Sequence, residues 1–437
     1  MAKVMIVGSG AREHEIALSY MRSKNVSEVL VTPGNDGMIN NRLNREPANI
    51  IINKSSSLKD PSSILLVAQE YKPDLVDVAQ DDALAAGTVD LLEKNGFRVF
   101  GPSKLAAQIE WDKEWSRSFM LRHGIPVPEY KSFSDIGEGR AYACDLLARK
   151  GGVFFKAAGL YAGKGVIPAF SREEVEEAAR KIHDIGEASR VFLVEEAMVG
   201  EEFSYYAIVD GRAFQCFKSS QDNKRVNNRD QGPNTGGMGA NAPALITRGL
   251  EKRIEEEIIS PAVRGMLEEG RSYKGVLYLG GMVCKDGSLK VVEFNSRWGD
   301  PECHVVLPGV ISDYFDLVSH AVDGTLQDFK LEEDDISRVC IISASTGYPG
   351  DYQKGKKIWI DNEKIPAGIH LLSAGIQVKD GQIYTGGGRV FSVVAEGRNV
   401  IEARMRALQG IACCSIEDNG LHYRTDIAWR DVQRVQK

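Results

Sequence analysis

KVVEFNSRWGDPE, residues 290–302, is the stretch on which the reading of this chain turns. Val291, Val292 and Phe294 are strand formers, and a Lys285-Asp286-Gly287 turn precedes them. Side chains alternate along a strand, so Glu293 and Asn295 point to one face. A carboxylate and an amide oxygen a pleat apart are hard donors, suited to Mg2+ or Mn2+ held mainly by phosphate oxygens. Arg297 follows on the same parity and offers a fork of donors to a carboxylate or phosphate. Taken alone, the stretch reads equally well as an edge strand with a polar face and a turn at Gly299-Asp300-Pro301.

Working outward, a strand is expected at Val276–Cys284 and helical stretches over Gly249–Glu269. Before them, residues 221–239 read QDNKRVNNRDQGPNTGGMG, nineteen positions with hardly a hydrophobe. A long structureless loop between apolar regions is usually functional or disordered. Gly236, Gly237 and Gly239 permit close backbone approach to a ligand, and Lys224, Arg225 and Arg229 suit an anion. Val191–Glu196 reads as a strand whose exit, Glu195-Glu196-Ala197-Met198, can present backbone groups to an adenine edge. Glu202 then lies in range of ribose hydroxyls, although an exposed acidic turn explains the same residues. Upstream, a strand ending at Lys156 runs into Gly159-Leu-Tyr-Ala-Gly163-Lys164-Gly165-Val166. G-K-[ST] is missing and no helix follows, so this is no Walker loop. A glycine-rich strand–loop–strand with two lysines can close over nucleotide phosphates.

Residues 1–100 alternate apolar runs (Lys3–Val7, Val29–Thr32, Asn49–Ile52, Asp74–Ala79, Arg98–Phe100) with helical stretches (Glu13–Ser23, Pro61–Tyr71, Ala83–Asn95). That is the pattern of a doubly wound parallel sheet. Gly8-Ser9-Gly10 follows the first strand, but Glu13 occupies the third glycine position of the dinucleotide fingerprint. The second strand ends in Thr32-Pro33-Gly34-Asn35, with no acid for a ribose hydroxyl. Both features argue against NAD and leave a Gly-rich turn that opens a helix, a cradle for one phosphate. A helix from Lys104 to His123, carrying Lys113, leads to a break at Gly124-Ile125-Pro126. Beyond Gly324, strands at Ser337–Ala344, Gly375–Val378 and Arg389–Ala395 and a helix over Val400–Ile411 suggest a separate small unit.

With 437 residues the chain exceeds one ordinary core. A net charge of −7 argues against general nucleic-acid or membrane-surface binding. No apolar run approaches a membrane span, and the Met1-Ala2-Lys3 start meets Val4–Val7 without a signal-like h-region. Seven cysteines without zinc-like spacing read as reduced thiols, so a cytoplasmic location is expected.

Several motifs together resemble the glycinamide ribonucleotide synthetase family, the phosphoribosylamine–glycine ligases of the ATP-grasp superfamily. They are GSGAREH at 8–14, PGN at 33–35, GPS at 101–103, HGIP at 123–126 and GLYAGKGV at 159–166. Further on come GPNTGGMG at 232–239, EFNSRWGDPE at 293–302, GYPGDY at 347–352 and GGRV at 387–390. The resemblance implies an α/β and α+β multidomain chain. Residues 1–103 would be a doubly wound, parallel-sheet pre-ATP-grasp domain. An ATP-grasp domain would follow at 104–325, its glycine-rich lid subdomain at about 124–194, and a small α+β domain at 326–437.

The implied reaction joins glycine to 5-phosphoribosylamine with ATP, through glycyl phosphate, in de novo purine biosynthesis. The implied partners are these small molecules, not nucleic acid or membrane, for a monomer or weak homodimer. Carried onto this sequence, the resemblance gives Glu293 and Asn295 to the metal and Arg297, Lys224 and Asp222 to catalysis. Lys113, Lys156, Gly163, Lys164, Gly165, Glu195, Glu196, Ala197, Met198 and Glu202 go to the nucleotide. Substrate contacts would come from Gly10, Arg12, Glu13 and Asn35 in the first domain. Asn234, Thr235, Gly236, Gly237, Asp300, Pro301 and Glu302 would complete them.

The chain departs from the family pattern around the substrates. Ala79-Gln80-Asp81-Asp82 stands where Gly-Pro-Glu is usual, and Asn223 replaces a histidine. Trp111-Asp112 replaces Gly-Ser, Tyr161 an alanine and Trp298 a phenylalanine. The family sets the ribose phosphate on the Gly8–His14 turn. Asp81 is therefore expected to face ribose hydroxyls or solvent, with Asp82 capping the next helix. A paralogous ligase for another acid or amine, and a non-catalytic nucleotide-binding protein, are the alternative readings.

Overall fold

Residues 1–41, 43, 48–159 and 165–436 are described by the computed structural model. Gly163 and Lys164 lie outside them.

The first apolar runs form five strands: β1 (Ala2–Gly8), β2 (Val26–Pro33), β3 (Ile50–Ile52), β4 (Leu75–Val78) and β5 (Val99–Phe100). They pair in parallel in the order β3-β2-β1-β4-β5. Chain direction across the sheet reverses at β1, so a crevice opens beyond its carboxyl end, where helix α1 (Ala11–Met21) begins. The single helix expected over Ala83–Asn95 is two, Asp81–Ala86 and Thr88–Lys94. Gly87, at φ 90°, ends the first with a left-handed residue.

A buried acid sits inside this sheet. Asp77 on β4 accepts a hydrogen bond from Tyr20 Oη at 2.9 Å. Burial pushes its carboxyl up to about 7, against the Tyr20 bond. In the unfolded chain the group ionises near its ordinary value. Between about pH 4 and 7 the folded state therefore holds the extra proton, and stability falls as pH rises through that window. Asp77→Asn keeps an acceptor for Tyr20 and is expected to stabilise the protein at pH 8 by roughly 2 kcal/mol. Urea midpoints of the two proteins at pH 5 and pH 8 check this. A gap that does not widen with pH would contradict it.

The helix expected over Lys104–His123 also breaks, into Gln108–Trp111 and Lys113–Arg122. Asp112 leaves helical geometry and caps the second piece, accepting from Trp115 N at 3.0 Å. The following unit is a four-stranded antiparallel sheet in the order Tyr130–Phe133, Phe192–Glu196, Val153–Ala157, Val166–Ala169. Helices Ile136–Lys150 and Arg172–Asp184 pack on it through Ala143, Leu146, Val175, Ala178 and Ile182.

The central sheet is antiparallel: Phe214–Cys216, Gly200–Asp210, Lys274–Cys284, Leu289–Asn295. The eleven-residue strand Gly200–Asp210 escapes the sequence reading, because its start, Gly200-Glu201-Glu202, looks like an acidic turn. Helices Glu251–Ile254 and Ser260–Glu268, joined by a π-helical turn, cover the sheet through Ile254, Ile258, Ile259 and Met266.

Residues 221–239 are not a structureless loop. Arg225–Asn227 and Gln231–Asn234 form a small hairpin. Gln221–Asp222 and Gly239–Ala242 pair with each other, and Gly239–Ala242 adds to Ser337–Ser345. The C-terminal sheet therefore takes in strands from before residue 326. Its remaining strands are Arg389–Gly397, Ile369–Ser373 and Leu421–His422, with helix Val400–Ile411 packed on it.

Candidate active site

Across the central sheet, Gly280 pairs with Ser204 on one side and Glu293 on the other, and Tyr278 pairs with Tyr206 and Asn295. These two rows lie two residues apart, so Glu293 and Asn295 share a face. The register slips between Gly280 and Gly281, leaving Val292 as an extra residue beside Glu293. Its carbonyl accepts from Arg117 Nη2 at 2.7 Å. Glu293 is half-buried; burial works against its charge, but Lys224, Lys113, Lys156 and Arg297 hold its carboxyl below the ordinary range. Asn295 is 5% exposed; its Oδ1 accepts from Arg297 Nη2 at 3.3 Å, while Nδ2 is buried without a partner.

Glu110, which no motif flags, braces the turn after the strand. Its Oε2 accepts from Ser296 N at 2.8 Å and Ser296 Oγ at 2.7 Å. Its Oε1 lies 2.9 Å from Arg297 Nη2. Arg297 Nε remains buried and unpaired.

Glu202 lies on the long strand Gly200–Asp210, on the far side of Lys274–Cys284. Its Oε2 meets Lys224 Nζ at 2.8 Å, with the two side chains 48% and 36% exposed. The Lys224 charge lowers the Glu202 carboxyl in spite of burial, and Glu202 in turn raises the Lys224 ammonium. An ion pair this open contributes little to stability, on the order of 1 kcal/mol or less.

Lys156 is placed differently. Its Nζ lies 2.5 Å from Glu195 Oε2, and Arg117 grips the same carboxylate through Nε at 2.6 Å and Nη2 at 3.0 Å. Burial lowers the Lys156 ammonium against the Glu195 charge. Glu195 is held at about 2 because Arg117 and Lys156 outweigh its burial.

At the Glu195-Glu196-Ala197-Met198 exit both carboxylates are already paired. Glu195 spends its side chain on Arg117 and Lys156, and Glu196 on Lys150 and Lys290. Glu196 N donates to Glu129 O and Ala197 N to Gly152 O, both at 2.9 Å. Lys113, the first residue of its helix, is half-buried and acts on the Glu293 charge. Gly165 lies at the start of Val166–Ala169, and its carbonyl accepts from Ala157 N at 2.8 Å.

Beside these groups, Glu302 Oε1 accepts from Ser204 Oγ and Tyr278 Oη, each at 3.0 Å. Burial and the Glu302 charge push the Asp222 carboxyl up, against Lys224 and Arg389, and its Oδ1 is buried without a partner. Gly237, at φ +109°, has to be glycine: a Cβ would fall 2.4 Å from Pro301 Cδ and 2.8 Å from Asp222 Oδ1. Thr235 ties the hairpin to Lys224 O through N at 2.8 Å and Oγ1 at 2.7 Å, next to the exposed Asn234.

Arg389, from the C-terminal sheet, crosses to this point. Its Nη1 donates to Gly236 O at 2.7 Å and Asp300 O at 2.8 Å, and Nη2 meets Asp300 Oδ2 at 3.1 Å. The GGRV motif marks it in the sequence, but nothing local tells its partner.

The first turn is the clearest departure from expectation. Two of its N–H groups are already engaged: Glu13 Oε2 accepts from Ser9 N at 3.1 Å and Gly10 N at 2.6 Å. Arg12 Nε donates to Glu13 Oε1 at 2.6 Å and Nη1 to Trp298 O at 3.1 Å. Glu13 is fully buried, so a dianion at Ser9 and Gly10 would have to displace a carboxylate. Asn35 is likewise occupied: Nδ2 donates to Ser9 O at 2.7 Å, and Oδ1 accepts from Gly37 N at 3.0 Å and from Ser373 Oγ.

Asp82 caps nothing. Gln80 is the N-cap, and Asp82 lies 3.9 Å from Lys59. Asp81 turns from solvent toward arginines; burial opposes its charge, but Arg297 and Arg12 hold its carboxyl down.

Three family models match the chain in succession: Phosphoribosylglycinamide synthetase N domain at 2–110, ATP-grasp (A) domain at 111–303 and C domain at 338–430. A phosphoribosylamine–glycine ligase of Salmonella typhimurium is 39% identical over 99% of this chain and its own full length. The chain belongs to the phosphoribosylglycinamide synthetase family. It is 40% identical to the trifunctional purine biosynthetic protein adenosine-3 of Bos taurus, of whose length it spans 42%. The crystal structure of a phosphoribosylamine–glycine ligase from Thermotoga maritima superposes with a TM-score of 0.81 at 31% identity. That likeness covers 97% of this chain and all of the other.

The chain's departures from the family pattern now have surroundings. Asn223 closes the base of the hairpin, its N and Nδ2 donating to Gly239 O at 2.9 and 3.3 Å. Trp298 is 2% exposed, packs on Tyr206 and Phe217, and donates from Nε1 to Tyr314 Oη at 3.1 Å.

Proposed function

We propose that this synthetase-family chain joins glycine to 5-phosphoribosylamine. ATP is consumed, and glycinamide ribonucleotide, ADP and phosphate are formed in purine biosynthesis. The observation that carries the reading is a convergence. Glu293, Asn295 and Glu202 share one face of the central sheet, where the charges of Lys224, Lys156 and Arg297 act on Glu293, in a chain whose family is named for this synthesis.

A carboxylate is a poor electrophile until one oxygen becomes a leaving group. Transfer of the γ-phosphoryl to glycine supplies that group, and the ribosylamine nitrogen then attacks the acyl carbon and releases phosphate. Such chemistry asks for positioning and charge neutralisation, not a nucleophilic side chain. Lys224 would leave Glu202 for the transferring phosphoryl group, with Lys156 and Lys113 along the nucleotide phosphates. Arg297, its Nε free, would hold the glycine carboxylate or the acyl phosphate. Asp222 and Glu302, beside Gly237, would meet the ammonium of glycine.

The donor set fits Mg2+ or Mn2+: one ionised carboxylate and one amide oxygen, both hard. Glu293 and Asn295 would hold the ion, which when bound neutralises phosphate charge. Closure of the glycine-rich segment would shelter the acyl phosphate from water. We place the protein in the cytoplasm as a monomer or weak homodimer without nucleic-acid or membrane partners. Its net charge of −7 supports this, and no helix among the described residues is long and apolar enough to cross a membrane.

Phosphate release, measured with ATP, Mg2+, glycine and freshly generated phosphoribosylamine and with each left out in turn, tests the reading. Release is expected to need all four. Clear ATP binding without substrate-dependent release would overturn it, and release with a different amine would redirect it.

Asp81 gives a graded check on the amine side. Its charge competes with a phosphorylated substrate for Arg12 and Arg297. Asp81→Asn is expected to lower the KM for phosphoribosylamine by roughly threefold to tenfold, a charge effect of about 1 kcal/mol. A raised KM would instead mean that the carboxylate contacts the ribose.

A further inference from the structure

The C-terminal segment makes contacts that the reaction scheme does not use. Arg424 is completely buried, unusual for a guanidinium, and four hydrogen bonds account for it. Nε and Nη2 grip Asp426 at 2.8 and 3.0 Å, while Nη1 reaches Asp230 Oδ1 at 2.9 Å and Arg225 O at 3.0 Å. Asp230 sits at the tip of the hairpin that begins one residue after Lys224. Its other oxygen accepts from Arg430 Nη2 at 2.6 Å and Trp429 Nε1 at 3.2 Å. Asn228 and Arg229 are bound by Thr425 and Asp426.

The helix that follows, Trp429–Gln436, does the same on the other side of the ion pair. Arg434 binds Glu201, the neighbour of Glu202, and Asp431 Oδ1 at 2.7 Å. Fully buried Asp431 accepts from Asn241 Nδ2 and Leu245 N, both at 2.9 Å.

We propose that residues 424–434 are a clamp that positions Lys224 and Glu202, with Arg424 as its principal positioning residue. The hairpin has few hydrophobes to bury, so its shape is set largely from outside, and Arg424 is the completely buried side chain that binds both its tip and its first strand. Releasing Arg225 O loosens the hairpin one peptide beyond Lys224 and leaves Thr235 alone to hold the Lys224 carbonyl. The Lys224 ammonium would then sample positions away from the nucleotide phosphates, and a displacement of an ångström is costly in a site that works by positioning. The effect on ATP rests on the phosphate role given to Lys224 above; the effect on the hairpin does not.

Hydrogen exchange and steady-state kinetics on Arg424→Ala and Arg424→Lys in the full chain test this. In Arg424→Ala, exchange across residues 224–235 is expected to rise while the β1 strand keeps its protection. The KM for ATP should rise roughly tenfold, with Arg424→Lys in between. A merely structural loss would raise exchange throughout and leave KM unchanged, and that result overturns the clamp. A loosened hairpin with an unchanged KM would uphold the clamp and instead remove Lys224 from the phosphates. If Arg424→Ala does not fold, Asp230→Asn, which keeps its shape and loses only the charge, is read by the same two measurements. Unchanged exchange across 224–235 in that variant also overturns the proposal.

Discussion

Glu293→Gln is expected to lower turnover by about a hundredfold to a thousandfold while the protein stays folded. The substitution keeps the side chain's size and removes one charge. In the resting protein that charge answers Lys224, Lys113, Lys156 and Arg297. Without it, Lys224, Lys156 and Arg297 keep Glu202, Glu195 and Glu110 but lose their shared counter-charge, and the oxygen donor offered to a metal ion is weakened. The fold has little stake in the change: Glu293 is half-buried, and its strand is held by the backbone ladder to Lys274–Cys284. Turnover, ATP affinity with excess Mg2+, and the unfolding midpoint separate the two effects. The expected pattern is lost turnover, weakened metal-dependent ATP binding and an unfolding midpoint close to the parent's. Near-normal turnover in the folded variant would remove Glu293 from the centre of the site.

Why Glu293 could be read from sequence, and Glu110 could not, is a matter of range. Parity along one strand places Glu293 and Asn295 together, and the antiparallel register reproduces that placement. Likewise β1, β2 and β4 announce themselves as apolar runs followed by turns. The partners that fix the site come from far along the chain. Glu110 meets Ser296 across 186 residues, Arg117 meets Glu195 across 78, and Arg389 meets Asp300 across 89. A charged side chain on a helix carries no local sign of which distant carboxylate it will find. The strand at Gly200–Asp210 was hidden for another reason, since its glutamates belong to the cleft and its apolar alternation begins only at Phe203. The 221–239 segment hid its strands because it buries few hydrophobes, Val226 and Met238, and takes much of its order from the distant Arg424 and Arg389.

The Gly8–His14 turn shows the same limit from the other side, and it yields the second large effect. A glycine-rich turn at a helix start suggests an anion site. The structure supplies the anion from within, as Glu13. Its carboxylate is fully buried, receives two backbone N–H groups and pairs with Arg12 at 2.6 Å. Glu13→Ala is therefore expected to cost about 3 kcal/mol or more, because it removes the bonded carboxylate from buried Arg12 and unpairs two part-buried N–H donors at once. The turn is shaped to the missing side chain, since a Cβ on Gly8 would lie 2.2 Å from Glu13 Cγ, so little can collapse into the gap. Glu13→Gln keeps that volume and should lose less, separating charge from space. The vacancy in Glu13→Ala then matches a small oxyanion, and millimolar phosphate should raise the unfolding midpoint of the variant and not of the parent. If phosphate stabilises the parent equally, Glu13 swings aside and the turn is a phosphate site after all. If Glu13→Ala costs less than about 1 kcal/mol and ignores phosphate, Glu13 is not the internal anion that organises the turn.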